Sequence, residues 1–395
     1  MSSTLQIYDV RERALIRLFD VAVSPLRWRR AAPRAATVRR VLLMRLERIG
    51  DLLMVVDAVR DARAAWPDAA IDLVVGRWNE SIARLIPEVS HVEVATAPWL
   101  ARTEAHDSWW TLVRRARRWR ARAYDVVINF EPDARSNILS WLTGAPSRYG
   151  YWTGGGGALL TDAQAYDTTS HVSTNARSLV ARVAGRAVPD AALAGPRLTL
   201  PRDVVAQART IIGSAGRPLV GEHAAGGRES KQWHLDRFAA VARRLAEERG
   251  ATIVLTGGPA DHAVVDAVHR ALDGIRVIDA SRVNDLPLLA GVLSELDVFI
   301  TGDTGPMHLA ALMGTPVVAL FGPSSPARYG PLADDARVIR VDLPCSPCGR
   351  VRLPPERCRG HVPDCMDGIS VDAVVSAAEA ALDAAANRAP LFMPQ

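Results

Sequence analysis

Lysine is almost absent from this chain. Among 48 basic residues Lys231 is the one lysine, so arginine supplies every other basic side chain. Cysteine is scarce too, with four in 395 residues, too few for a disulfide-stapled scaffold. No stretch approaches the roughly 18 consecutive apolar residues of a spanning helix, so an integral helical membrane protein is not expected. No compact apolar core with a small-residue cleavage site opens the chain, so export is not expected. The Gly-rich Walker spacing is missing, which argues against an ATPase. What is present, 49% apolar and 23% charged residues, is the balance of an ordinary globular protein. The length implies two or three domains of about 150 residues.

Charge is placed unevenly. Residues 1–40 hold nine arginines and three acids (Asp9, Glu12, Asp20), a balance of +6, and the rest of the chain sums to −1. Within this leader Ala14, Leu15, Leu18, Phe19, Ala22 and Val23 recur at helical spacing, with Arg11, Arg13 and Arg17 between them. A basic amphipathic helix of this kind suits an anionic membrane surface, or else packs on its own protein with solvated arginines. Nucleic acid is disfavoured, because the body has no basic excess and no reading motif. A second stretch, 114–122, holds six arginines. The stripe Trp109, Leu112, Val113, Ala116 and Trp119 makes it a surface helix, its charge either solvated or offered to an anionic acceptor.

Short β-branched runs alternate with amphipathic helical segments. Strands are expected near 41–45, 71–75, 91–95 and 125–130, and again near 219–223, 251–256, 276–279, 298–301 and 317–321. Such alternation makes βαβ units and parallel sheets. Two sets imply an α/β protein with two doubly wound, Rossmann-like domains and an active site in the cleft between them. The expected division is a basic leader (1–38), an N-terminal domain (39–195), a C-terminal domain (196–370) and a terminal helix and tail (371–395). That helix, opened by Ser370 as N-cap, could cross back to the first domain. The glycine run 154–157 reads as a mobile loop over the cleft.

Four strand-to-helix turns could carry chemistry. The first, Arg45-Leu46-Glu47-Arg48-Ile49-Gly50-Asp51, places Asp51 near a helix N-terminus, as general base or as a mere cap. The second, Gly302-Asp303-Thr304-Gly305-Pro306-Met307-His308, offers amides and a hydroxyl at a helix start, a diphosphate site with His308 one turn in. The third, His223-Ala224-Ala225-Gly226-Gly227-Arg228-Glu229-Ser230-Lys231-Gln232-Trp233, lets the backbone approach phosphate while Lys231 supplies charge. The fourth, Thr256-Gly257-Gly258-Pro259-Ala260-Asp261, puts Asp261 where it could bond a ribose or cap a helix. Cys345-Ser346-Pro347-Cys348, with Cys358 and Cys365, could form a four-thiolate metal set or remain free or redox-paired thiols.

Together these segments resemble glycosyltransferase family 9, the lipopolysaccharide heptosyltransferases. The most specific piece is Asp303-Thr304-Gly305-Pro306-Met307-His308-Leu309-Ala310 followed by Gly314-Thr315-Pro316-Val317-Val318-Ala319-Leu320-Phe321-Gly322-Pro323. The resemblance implies a GT-B fold and inverting transfer of heptose from a nucleotide-activated donor, ADP-heptose, to a lipopolysaccharide core acceptor. No metal or other cofactor is implied. It makes Asp51 the general base and gives the donor to Lys231, Asp261, Asp303, Thr304, Gly305 and His308. Asn129, Glu131 and Arg135 fall to the acceptor, with Glu131 as a second candidate carboxylate. It also implies a peripheral enzyme on the cytoplasmic face of the inner membrane; the contact with anionic lipid through residues 1–38 is expected from the leader's own pattern, since so long a basic leader is unusual for the family. Two departures stand out. Gly226-Gly227 occupy places where a hydroxyl residue is usual, and Asn129-Phe130-Glu131-Pro132-Asp133 replaces Asp-Leu-Gln-Gly. The other readings are a nucleotide-sugar epimerase of the same fold and a catalytically silent nucleotide-sugar-binding subunit.

Overall fold

A computed structural model describes residues 5–7, 9–29, 37–101, 105–189, 196–348 and 364–386. The chain divides into two units, Met1–Ala191 and Ala192–Gln395.

The first unit runs α1 (Val10–Val23), β1 (Arg40–Arg45), α2 (Ile49–Leu53), α3 (Val56–Ala65), β2 (Ala70–Val75), α4 (Glu80–Ala83), β3 (His91–Val94), α5 (Trp109–Ala121), β4 (Val126–Asn129), α6 (Ala134–Leu142), β5 (Ser147–Tyr151), β6 (Asp162–Gln164) and α7 (Val172–Ala184). Its six strands are ordered β3-β2-β1-β4-β5-β6, and every pairing is parallel. The central strands β1, β2 and β4 read as nearly continuous apolar runs because both faces of the sheet are covered there. One face packs Leu42, Met44 and Val127 against Leu112, Ala116 and Trp119 of α5, all fully or almost fully buried.

The second unit runs α8 (Arg202–Ile212), β7 (Leu219–His223), α9 (Leu235–Arg249), β8 (Thr252–Leu255), α10 (His262–Ala271), β9 (Val277–Asp279), α11 (Leu286–Ser294), β10 (Val298–Gly302), α12 (Gly305–Met313), β11 (Val317–Leu320), α13 (Pro326–Tyr329), β12 (Arg337–Ile339), α14 (Asp364–Asp367) and α15 (Val371–Ala386). Its parallel order, β12-β11-β10-β7-β8-β9, repeats the topology of the first sheet. In both sheets the order reverses beside the first strand: between β1 and β4, and between β7 and β10. Ligands of open α/β sheets bind at such reversals, beyond the carboxyl ends of the strands.

Three strands escape the sequence reading: β5 and β6 at one edge of the first sheet and β12 at one edge of the second. The terminal helix is also relocated. Val374, Val375, Ala378, Ala381 and Leu382 of α15 belong to the apolar core of the second unit, alongside Val220, Phe238, Ile253 and Ile300, so the expected crossing gives way to a helix of the second unit. Ser370 caps it as expected, accepting the Ala373 N–H at 3.2 Å.

The glycine run 154–157 is not a mobile loop. All four residues are buried. Gly156 donates to Asp20 Oδ1 at 2.7 Å, and the Gly155 carbonyl accepts from Asn137 Nδ2 at 2.8 Å. Gly155 and Gly156 have φ values of 91° and 72°, which a side chain would strain. Among the described residues no helix is long and apolar enough to cross a membrane.

Candidate active site

In the first unit the loops that follow β1 and β4 meet at the sheet's reversal. Arg45, the last residue of β1, is 2% exposed yet charged. Its Nη1 donates to the Phe130 carbonyl at 2.7 Å and its Nε to the Asp51 carbonyl at 3.2 Å. Its Nη2 pairs with Glu47 at 2.8 Å and with Asp51 Oδ1 at 3.2 Å. Burial opposes its charge, but Glu47, Asp51 and Glu131 outweigh that and raise its pKa. One buried guanidinium therefore aims the Asp51 carboxylate, whose side chain keeps 32% of its surface open. Asp51 sits in the first turn of α2 but is not its N-cap, which is Arg48. Arg48 makes no side-chain cap bond, so the capping role weighed from sequence is not what holds this turn.

Glu131 is placed differently from expectation. It is 1% exposed, and its Oε1 accepts the Leu46 and Glu47 N–H groups. Burial, then repulsion from Glu47, pushes its pKa up to about 8, against the pull of Arg45. It holds the turn that carries Asp51, and its burial takes it away from an acceptor. Asn129 is likewise corrected. Fully buried, it donates to Ser136 Oγ at 2.9 Å and Asn137 Oδ1 at 2.8 Å, and accepts the Glu131 N–H at 3.1 Å. Its amide organises the loop instead of facing a ligand. Arg135 is bound through two bonds to Asp133, 2.9 and 2.7 Å long, with Trp99 beneath it at 5.2 Å.

In the second unit the loops after β7 and β10 meet in the same way. Trp233, 2% exposed, donates its Nε1 to the Ile369 carbonyl at 3.1 Å and anchors the end of the first loop. Two residues earlier, Lys231 reaches across and its Nζ lies 2.6 Å from Asp303 Oδ2. The pair remains accessible, with side-chain exposures of 26% and 12%. Thr304 follows as N-cap of α12 with no side-chain cap bond; its hydroxyl instead meets Thr301 Oγ1 at 3.0 Å. The amides of the first turn of α12, Gly305 among them, thus lack a side-chain cap at their positive end. His308 lies one turn in and is 5% exposed.

Asp261 spends Oδ2 on the Gly258 N–H at 2.8 Å, the local capping contact weighed from sequence. His223, at the end of β7, is buried and bonds Thr256 Oγ1 at 3.1 Å through Nδ1, and burial lowers its pKa. Cys345 and Cys348 are exposed and Cys365 is buried, while Cys358 lies outside the described residues. Among the described residues no three ligating side chains gather as a metal site.

Two features were missed in the sequence. Arg45 was read only as part of a turn, although a cation closing a buried strand is itself a signal of a charge held for a purpose. Glu222 carries no local sequence signal beyond a carboxylate inside a strand run. It shares the core face of β7 with Val220, is 0% exposed, and neither carboxyl oxygen has a hydrogen-bond partner among the described residues. Burial raises its pKa well above the ordinary carboxylate range. A proton held more tightly in the fold than in the unfolded chain gives stability that is fully present at low pH and lost as pH rises through the folded pKa. Glu222→Gln should therefore melt close to the wild type near pH 4 but higher at pH 8.5. A gain of about 2–4 °C would correspond to roughly 1 kcal/mol in a unit of this size. An equal shift at both pH values in thermal unfolding would refute this assignment.

Chemically the arrangement divides into two parts. The first unit presents an oriented, partly open carboxylate. The second presents a cation, helix-terminal amides and a hydroxyl, a set suited to a diphosphate. A family model described as "Glycosyltransferase family 9 (heptosyltransferase)" matches residues 112–355. The chain belongs to glycosyltransferase family 9. It is accordingly a glycosyltransferase, and its two Rossmann-like units are those of the GT-B fold.

Relatives within the family agree. The chain is 28% identical to lipopolysaccharide heptosyltransferase 2 of Salmonella typhimurium, covering 74% of this chain and 85% of that one. It is 26% identical to lipopolysaccharide heptosyltransferase 1 of Pseudomonas aeruginosa, covering 78% and 86%. Among solved structures, a family 9 glycosyltransferase from Veillonella parvula superposes with a TM-score of 0.76 at 25% identity, covering 89% of this chain and all of that one. The E. coli ADP-heptose lipopolysaccharide heptosyltransferase II shares the fold, with a TM-score of 0.71 at 22% identity over 87% of this chain and 99% of that one.

Proposed function

We propose that this family 9 glycosyltransferase moves a heptose from ADP-heptose to a lipopolysaccharide core acceptor, with inversion and without a metal ion. The observation that carries the reading is the approach of the one lysine to the Asp303-Thr304-Gly305 turn, 2.6 Å from Nζ to carboxylate, where the second sheet reverses its order. The names of its relatives, lipopolysaccharide heptosyltransferases 1 and 2, and of the ADP-heptose enzyme that shares its fold support the choice of sugar and acceptor class.

In this reading Asp51 takes the proton from an acceptor hydroxyl. The freed oxygen attacks the anomeric carbon from the face opposite the diphosphate. The bond from that carbon to the diphosphate oxygen breaks, and ADP leaves with the electron pair. Lys231, the amide of Gly305, the Thr304 hydroxyl and His308 hold the negative charge that develops there, the role a metal plays in other transferases. Asp303 fixes the lysine, and Asp261 offers Oδ1 to the ribose. Arg45 orients the base from beneath. The enzyme works peripherally at the cytoplasmic face of the inner membrane, where residues 1–38 meet anionic lipid.

Mass spectrometry after incubation with a panel of nucleotide-sugars tests this. ADP-heptose should be consumed only when acceptor is present, with a gain of one heptosyl mass on the acceptor. Turnover should be unchanged by EDTA. Conversion of the donor without acceptor would replace this reading with an epimerase, and loss of activity with chelator would overturn the metal-free step.

A further inference from the structure

Helix α1 carries two unlike faces. The inner one is tied to the protein at several points. Ile16 lies against Gly155 too closely to admit a Cβ there, Asp20 accepts the Gly156 N–H at 2.7 Å, and Glu12 pairs with Arg135 at 3.5 Å. Just before the helix, Gln6 donates its backbone N–H to the Thr153 carbonyl at 2.8 Å and its side-chain amide to the Tyr166 carbonyl, also at 2.8 Å. These contacts fix the roll of the helix about its axis.

The face left outward is apolar. Val10, Leu15, Leu18 and Val21 are 73%, 66%, 68% and 71% exposed, and the small exposed residues Ala14 and Ala22 lie among them. The exposed arginines Arg11 and Arg17 share the same arc. A row of large aliphatic side chains held in water by a latched helix is a site of interaction, since rolling the helix cannot hide them. A second exposed apolar group is reached from the inner side of the helix through intermediate residues. Arg135, the partner of Glu12, lies over Trp99, which stacks on Trp109 at 5.0 Å, and Trp110 beside it is 76% exposed. Tryptophan is the residue best suited to the boundary between headgroups and acyl chains. The charge decides what covers these groups. Glu12 and Asp20 are engaged on the inner side, so the outward arc of α1 carries Arg11 and Arg17 and no acid of the helix, which attracts a negative surface and discourages a second copy of the same helix.

We propose that the outward face of α1, with Trp109 and Trp110, is one docking surface for an anionic lipid bilayer. Leu15, Leu18 and Trp110 enter the headgroup boundary while Arg11 and Arg17 meet lipid phosphates. This deepens the reading above, on which its purpose rests: it names how the enzyme meets the membrane that holds its acceptor. Because the inner face of α1 grips the glycine loop and Arg135, the helix docks as part of the first unit, not as a free leader.

The test is co-sedimentation of the full chain with acceptor-free vesicles, either pure phosphatidylcholine or phosphatidylcholine with 30% phosphatidylglycerol. Transfer to detergent-dispersed acceptor is measured in parallel. The wild type should bind the anionic vesicles at least about tenfold better than the neutral ones, with a blue shift of tryptophan emission that Trp110→Ala diminishes. The double variant Leu15→Glu/Leu18→Glu should bind at least about 100-fold more weakly, since each leucine forfeits the burial of a full side chain. Its transfer rate in detergent should equal that of the wild type. Undiminished vesicle binding by that variant overturns the proposal. So does a wild type that ignores anionic vesicles but forms a dimer that the variant breaks. If no donor supports transfer while vesicle binding still depends on Leu15 and Leu18, the sugar-transfer reading falls and the docking surface stands.

Discussion

Asp51→Asn should abolish sugar transfer, with kcat reduced by about 10²–10⁴-fold and donor affinity unaltered. That range is what a positioned proton acceptor contributes. Asparagine preserves the shape of the side chain, and Arg45 keeps its bonds to the Asp51 and Phe130 carbonyls, so the turn should survive. What disappears is an atom able to take the acceptor's proton. Steady-state rates with donor and acceptor, set beside calorimetric ADP binding, separate the two effects. Activity near the wild-type level would remove Asp51 from the mechanism. Glu131 is a weak replacement in that event. Its carboxyl is buried on the Leu46 and Glu47 amides, and substitution there should cost folding stability before it costs chemistry.

Lys231→Ala should lower kcat/KM for the donor by about 10²–10³-fold, the usual loss on removing one preorganised donor to a developing charge. Two effects add. The cation is lost, and Asp303, only 12% exposed, is left facing the diphosphate without its counter-charge. Their separation is measurable. Lys231→Ala/Asp303→Asn should recover part of the loss, because the repulsion goes while the attraction stays absent. Lys231→Arg should not restore full activity, since a planar guanidinium cannot replace a compact ammonium in this geometry. A double variant no better than the single one would show that Asp303 serves only to shape its loop.

Much of this was legible because parallel strands buried on both faces are written as unbroken β-branched runs. Nine of the twelve strands follow from such runs, among them Leu219–His223 to the residue. The three missed strands lie towards the edges, where the chain need not be apolar. Ser147–Tyr151 contains a glycine and an arginine, and Asp162–Gln164 has no β-branched residue at all. Sheet order was beyond local pattern, since it depends on which distant strands pair. That order is what brings the Leu46-Glu47 turn onto Glu131, and Lys231 beside Asp303. Residue types at strand ends announced the chemistry, but not which polar groups spend themselves inwardly. Asn129 and Glu131 looked like ligand contacts because they follow a strand; in the fold they are consumed by the Asn137 side chain and the Leu46 and Glu47 amides. The glycine run was misread for a similar reason. Its flexibility as free peptide is cancelled by Asp20 and Ile16, which lie about 135 positions earlier in sequence.

The near-total reliance on guanidinium groups leaves this protein almost inert to amine-directed reagents. The single ε-amino group sits in the loop proposed to hold the donor, so acylating probes, Schiff-base-forming aldehydes and lysine-specific proteases all address one place among the side chains. A chemist gains there a built-in reporter of donor occupancy, one that needs no engineered label and has no second lysine to confuse the signal.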